Sequence, residues 1–128
     1  MTIVDWAIRG PAEIVRLVLE YILIPYKTRN YVYKTKDQWF DVDRPKLRET
    51  HPEIELPYLE DGEKKICGTE AIIIYLLHKY NRTELLGTTL EEKIKLATTK
   101  AIYYDLLEDY YTLCYGEYDE SLNWEKAR

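Results

Sequence analysis

The sequence of 128 residues predicts an α/β fold with a mixed sheet, followed by the first long helix of an all-α region. Three observations lead to this fold class. A β-prone segment, an apolar helical segment ending before Pro25 and a Tyr/Thr/Val-rich segment follow one another as in a βαβ unit. Asp61-Gly62, between two short β-prone runs, is the strongest short-range signal for a hairpin. Apolar residues then recur with a helical period from Leu90 to Cys114.

The first predicted elements are a strand from Thr2 to Trp6, a loop to Gly10 and a helix that opens near Pro11, where a missing N–H costs nothing. The helix ends before Pro25, because the residue preceding a proline is pushed out of the α region. A second strand follows from Tyr26 to Tyr33. We expect the helix to bury a stripe of Ile14, Leu17, Val18 and Tyr21, with Val15, Leu19 and Ile22 beside it.

The rest of the first domain is predicted as a short irregular helix and loops over Lys34 to Glu55, then two strands and a helix. The strands are Pro57 to Glu60 and Lys64 to Cys67, and Thr69 caps a helix that runs to about Tyr80. That helix turns Ile72, Ile73, Leu76 and Leu77 inward. The order βαβ-ββα is the thioredoxin-like arrangement, with helices on both faces of the sheet.

Three segments are predicted along the chain: a thioredoxin-like domain at 1–82, a linker at 83–88 and a partial all-α domain at 89–128. Thr89-Leu90-Glu91-Glu92 is a capping box that opens a long amphipathic helix, which Gly116 ends. One such helix cannot bury its apolar side alone, so it needs further helices or another subunit.

Composition excludes several classes of function. A net charge of −5 argues against nucleic acid as a partner. No apolar run is long enough to span a membrane, and the lack of a leader segment favours a cytoplasmic location. Cys67 and Cys114, with His51 and His78, form neither a redox pair nor a metal-ligand pattern, so no metal is expected.

Several segments together resemble, in order and spacing, the N-terminal region of mu-class glutathione transferases. The segments are Trp6-Ala-Ile-Arg-Gly10, Arg16-Leu-Val-Leu-Glu-Tyr21, Leu56-Pro-Tyr-Leu59 before Asp61-Gly62, Glu70-Ala-Ile72, Glu91-Glu-Lys-Ile94 and Cys114-Tyr115. The resemblance implies a transferase that joins glutathione, its co-substrate, to small electrophiles and acts as a homodimer. It also implies a chain truncated after the first helix of the C-terminal domain.

The resemblance further implies a site for the middle and the γ-glutamyl end of glutathione. A cis Leu56–Pro57 bond would turn the Leu56 backbone outward to pair with the cysteinyl part, although Pro57 could merely start an edge strand. The hydroxyl and N–H of Thr69 would hold the γ-glutamyl carboxylate, unless Thr69 is an ordinary N-cap. Gly68 stands where the family places Gln or Glu, which removes one contact and predicts weaker binding.

The remaining implied residues surround the glycyl end and the second substrate. Trp6, Trp39 and Lys46 match residues that line the glycyl end, with Arg44 as a rival to Lys46 and a solvated surface as the plain alternative. Asp105 would reach the glutathione amine of the partner subunit, or is an exposed helix residue. Tyr115 would border the electrophile pocket, or simply packs.

The position before Trp6 departs from the family pattern. There the family has a catalytic tyrosine whose hydroxyl donates to the glutathione sulfur and favours the thiolate, whereas this chain has Asp5. An ionised carboxylate can only accept hydrogen bonds, and its negative charge repels a thiolate. We therefore expect at most weak conjugating activity. The alternative function is a non-catalytic glutathione-binding or dimerising module. A thioredoxin-type oxidoreductase is excluded because Arg9-Gly10-Pro11 stands where its redox cysteine would be.

Overall fold

The computed structural model of the chain describes residues 1–115, the last of them by its backbone alone. The chain divides into two compact units after Leu85. The first unit contains a four-stranded mixed sheet and three α-helices, and the described part of the second contains one long helix. The first unit is thioredoxin-like, as predicted.

The sheet has the strand order β2-β1-β3-β4. Strand β1 pairs in parallel with β2, while β3 is antiparallel to both β1 and β4. The strands are β1 Thr2–Trp6, β2 Lys27–Tyr31, β3 Tyr58–Asp61 and β4 Lys64–Cys67. Gly62 begins the two-residue loop between β3 and β4 with a φ of 62°, the left-handed value that such a loop needs there.

The helices are α1 Ala12–Tyr21, α2 Arg44–Arg48, α3 Thr69–Lys79 and α4 Leu90–Tyr115. Shorter helical turns span Tyr33–Thr35, Gln38–Asp43 and Thr83–Leu86. The irregular region before β3 is therefore helical in short pieces, as expected. The segment predicted as a plain linker contains the turn at Thr83–Leu86.

Strand β1 is central, and side chains from both of its faces are buried. Ile3, Val4 and Asp5 in succession are at most 1% exposed. On one face Val4 belongs to a core cluster, which we call the aromatic core, formed by Val4, Tyr31, Trp39, Ile54 and Tyr58. Helix α1 packs against α3 and against β1. Burial on both faces explains why a polar residue in this strand has no access to water.

The buried face of α1 differs from the predicted stripe. Ala12, Val15 and Leu19 are buried, together with Ile22 just after the helix. Leu17 and Tyr21, placed at the centre of the predicted stripe, are 61% and 65% exposed. The prediction is confirmed for Val15, Leu19 and Ile22 and was wrong for Leu17 and Tyr21. The apolar stripe is broader than the surface that the rest of the unit covers, so periodicity alone left the orientation open and packing against the sheet decided it.

The second unit opens with the predicted capping box. The Thr89 hydroxyl accepts from the Glu92 N–H at 3.2 Å, and Glu92 Oε2 accepts from the Thr89 N–H at 3.1 Å. The prediction of an amphipathic helix was wrong, because exposed apolar side chains such as Leu90, Ile94, Leu96 and Ile102 lie on different sides of α4. Gly116, its predicted end, lies outside the described residues.

Within residues 1–115, no helix combines the length and the apolar character that crossing a membrane requires.

Candidate functional site

The candidate site lies where β1 ends and the segment before β3 begins. Val4 pairs with Tyr58 in the antiparallel ladder. Asp5 and Trp6, which follow Val4, therefore lie at the same end of the sheet as Leu56 and Pro57, which precede Tyr58. Helices α1 and α3, which start at Ala12 and Thr69, contact one another. Strand ends and helix N-termini therefore supply the polar groups of this region.

The main chain at Leu56 is free to pair with a ligand. The Leu56–Pro57 bond is cis, which confirms the expectation. Among residues 1–115, neither the N–H nor the C=O of Leu56 has a hydrogen-bond partner, whereas the Pro57 carbonyl accepts from the Gly68 N–H at 3.1 Å. The Leu56 side chain is half-buried against the aromatic core, which fixes the segment and leaves one donor and one acceptor unused.

The start of α3 corrects the role given to Thr69. Gly68, not Thr69, is the N-cap residue, with φ 85° and ψ 129° and no side-chain cap. Thr69 is the first helical residue, and its hydroxyl donates to the Pro11 carbonyl at 3.3 Å. The cap prediction was wrong because glycine adopts this positive φ without strain, and the chain enters the helix there. The N–H groups of the first turn of α3 have no side-chain cap.

Asp5 is the one buried charged residue among the described residues, at 1% exposure. Its Oδ2 is buried and has no hydrogen-bond partner in this part of the chain. Burial raises the pKa of the Asp5 carboxyl above its ordinary value, and the backbone N–H groups of Trp6 and Ala12 and the charge of Arg16 oppose that rise in part. The carboxyl therefore favours its neutral form more than an aspartate in water does.

The raised pKa of Asp5 predicts a pH-dependent stability. The unfolded chain ionises Asp5 near 3.8, whereas the folded chain resists ionisation. Asp5 therefore destabilises the fold as pH rises above 3.8, and the penalty is complete above the folded pKa. We expect Asp5→Asn to raise the free energy of unfolding at neutral pH, with a gain that shrinks as pH falls toward 3.8. Urea unfolding of both chains over this pH range measures it, and a gain that does not change with pH contradicts it.

Trp6 forms an aromatic group at the end of β1. Its ring lies 6.1 Å from Tyr31, 6.4 Å from Tyr33 and 5.8 Å from Phe40. Trp6 is half-buried, while Tyr33 and Phe40 are exposed. Sequence reasoning missed Tyr33 and Phe40, whose only signal was their aromatic character near Trp39. A flat apolar group can contact this surface.

Trp39 lies in the protein core and not at an open cleft. Its indole is 1% exposed and packs against Tyr31 at 5.3 Å and Tyr58 at 6.0 Å between ring centroids. The prediction that Trp39 lines the glycyl end is therefore not supported, and we assign it to the aromatic core. Trp39 has the largest side chain of the aromatic core, so its burial removes more apolar surface from water than the burial of any other member.

The two basic candidates for the glycyl end differ in their surroundings. Arg44 contacts Glu55 at 3.2 Å and lies 4.9 Å from the centre of the Phe40 ring. Glu55 also pairs with Arg48. Lys46 is exposed and, in the described part of the chain, has no ion-pair partner. Among those residues Lys46 is thus free of an ion pair and can meet a carboxylate, whereas Arg44 shares the single Glu55 carboxylate with Arg48.

The remaining candidates belong to the second unit. Asp105 is exposed on α4, and Tyr115 is the last residue of that helix. The side chain of Tyr115 lies outside the described residues, so its predicted place at an electrophile pocket stays a prediction.

Comparison with known proteins gives one match to a family model. Residues 11–84 match the model described as "Glutathione S-transferase, N-terminal domain". The matched segment runs from Pro11 to beyond α3 and contains Leu56, Gly68 and Thr69.

Curated relatives and solved structures agree with that match. The chain is 34% identical over 122 residues to mouse glutathione S-transferase Mu 5, covering 91% of the chain and 52% of the relative. It is 35% identical over 130 residues to human glutathione S-transferase Mu 4, with coverages of 98% and 57%. The crystal structure of a Caenorhabditis elegans GST aligns with a TM-score of 0.68 at 23% identity, over 98% of this chain and 58% of that one. The chain thus spans about half the length of the curated relatives it matches.

Proposed function

Because the chain belongs to the glutathione S-transferase family, we propose that its first unit binds glutathione and that the protein conjugates it to small electrophiles at a low rate. The observation that carries the proposal is the arrangement around Leu56. An unpaired backbone donor and acceptor stand beside a helix N-terminus, because Pro57 contacts Gly68 and Thr69 contacts Pro11. An extended peptide with a carboxylate at its end needs both features.

The proposed roles follow from this placement. The Leu56 backbone pairs with the cysteinyl part of glutathione, as one strand pairs with another. The first-turn N–H groups of α3 hold the γ-glutamyl carboxylate, where the helix dipole favours negative charge. The Thr69 hydroxyl, which donates to the Pro11 carbonyl in the free chain, turns to donate its one proton to the carboxylate instead. Trp6 and Lys46 border the glycyl carboxylate, to which an indole N–H and an ammonium group can donate.

The second unit enters the proposal through the family. Asp105, exposed on α4, would contact the glutathione amine of a second copy in a homodimer. Tyr115 would border the electrophile pocket. We propose a cytoplasmic location, where reduced glutathione is the available thiol.

The low rate follows from Asp5. Its carboxyl stands at the position of the family's catalytic tyrosine, and its burial keeps it from contacting a sulfur atom of the ligand. No other donor to the sulfur is proposed from residues 1–115. The same observation favours the second candidate function, a non-catalytic glutathione-binding or dimerising module.

Two measurements separate these candidates. Retention on immobilised glutathione, with elution by free glutathione, tests binding. A conjugation assay with a chloronitrobenzene tests catalysis. Retention with slow turnover supports the transferase, retention without turnover supports the module, and a chain that is not retained contradicts both.

The role of Thr69 gives a sharper test. We expect Thr69→Val to raise the Kd for glutathione by about tenfold, since a hydrogen bond to a charged group contributes ~1.5–3 kcal/mol. Thr50→Val is the matched control, because the Thr50 hydroxyl also donates to a backbone carbonyl at 3.3 Å, that of Leu47. Calorimetric titration measures both, and equal Kd values for the two variants would show that the Thr69 hydroxyl does not touch the ligand.

A further inference from the structure

Asp5 is a titratable group to which the proposed function assigns no part in binding glutathione. It is buried in the central strand, at 1% exposure, and its Oδ2 has no partner among the residues described. A carboxyl in such a place is costly when ionised and is much less so when neutral. Its protonation state therefore responds to any charge that arrives nearby.

The proposed ligand brings such a charge to the same region. Asp5 leaves the Val4–Tyr58 pair at the end where Leu56 and Pro57 enter β3. The N–H of Ala12, the first residue of α1, acts on the Asp5 carboxyl, and the neighbouring Pro11 carbonyl accepts from Thr69. The γ-glutamyl carboxylate proposed to bind at Thr69 would thus lie near Asp5, with little water between them to screen the repulsion.

The charged groups around Asp5 do not cancel that repulsion. From α1, Arg16 is the cation that acts on Asp5, but Arg16 already pairs with Glu13 at 2.9 Å. From α3, the first turn carries Glu70, a further acidic residue. On the β2 side, Asp5 pairs with the uncharged Asn30. On the β3 side, the residues next to Asp5 are Pro57 and Tyr58.

We propose that Asp5 takes up a proton when glutathione binds, so that the affinity of this site for the anionic tripeptide rises as pH falls. This inference rests on the proposed binding of glutathione. The proton comes from solvent, the carboxylate becomes a carboxylic acid, and no other bond changes. The neutral carboxyl removes the repulsion between Asp5 and the bound carboxylate.

Calorimetric titration with S-methylglutathione tests this proposal, because the thioether has no thiol proton to exchange. Titrations in buffers of different ionisation enthalpy, repeated from acid to neutral pH, give the number of protons taken up. We expect uptake of up to about one proton per ligand in the natural chain, and a Kd that rises up to about tenfold per pH unit where uptake is largest. Asp5→Asn should abolish the uptake, and Glu63→Gln, a change in the exposed β3–β4 loop, should leave it intact.

The outcomes are distinguishable. Binding without uptake at any pH in the natural chain, or equal uptake in Asp5→Asn, overturns the role of Asp5 and leaves the binding proposal standing. An absence of binding in all three chains contradicts the proposed function itself. If Asp5→Asn fails to fold, the ¹³C carboxyl titration of Asp5 in the natural chain decides: its midpoint rises on saturation with S-methylglutathione, and an unchanged midpoint overturns the inference.

Discussion

Replacing Asp5 with tyrosine is expected to raise kcat/KM for glutathione conjugation by about 10²- to 10³-fold, the usual effect of one anion-stabilising donor. A phenol keeps its proton up to about pH 10 and can donate to the glutathione sulfur, which favours the reactive thiolate. The Asp5 side chain is buried, and in its ionised form it can accept hydrogen bonds but cannot donate one to the sulfur. The rate of chloronitrobenzene conjugation at saturating glutathione, measured over a range of electrophile concentrations, gives the comparison.

The control for this substitution is Asp5→Phe. Both aromatic side chains are larger than aspartate, and overpacking a buried position costs about 1–3 kcal/mol. Phenylalanine carries that cost without a hydroxyl, so it should leave the rate near that of the natural chain. Equal rates for the two variants, with glutathione still bound, would remove the missing hydroxyl as the reason for slow conjugation.

Trp39→Ala is expected to lower the free energy of unfolding by about 3–5 kcal/mol, the usual cost of truncating a buried aromatic residue. The indole packs against Tyr31 and Tyr58 on one face of the sheet and is almost fully buried. Urea unfolding followed by circular dichroism measures the loss. Phe40→Ala, at the next position but exposed, should cost much less.

A milder change separates the core role of Trp39 from a binding role. Trp39→Phe keeps an aromatic ring and removes the indole N–H. If Trp39 is a core residue, stability falls moderately and the Kd for glutathione stays within about twofold. A Kd that rises about tenfold while the fold persists would return Trp39 to the glycyl end of the site.

Local chemistry explains which elements the sequence predicts well. Gly62 supplies the positive φ of the hairpin loop, and Thr89 and Glu92 satisfy each other's backbone N–H groups. The hairpin and the helix start each depend on residues within a few positions of one another, so the local sequence pattern is enough to predict them. The cis bond before Pro57 was expected from the family resemblance and not from the residues alone.

Long-range packing explains the failures. Apolar residues cover a broad part of α1 opposite its charged side, and packing against the sheet selects Val15 and Leu19 over Leu17. The family resemblance places Trp39 at the glycyl end of the site, but Tyr31 and Tyr58 from two strands of the sheet pack against it in the aromatic core. The orphaned Oδ2 of Asp5 likewise depends on the coverage of β1 from both sides, which no local pattern reports.

The most direct test is an amide NMR titration of the ¹⁵N-labelled chain with glutathione. If the tripeptide binds as proposed, the amides of Leu56, Gly68 and Thr69 shift together and saturate with a single Kd, because one ligand contacts all three. Millimolar glutathione that leaves these three amides unmoved, or shifts only residues remote from β1 and α3, would contradict the account.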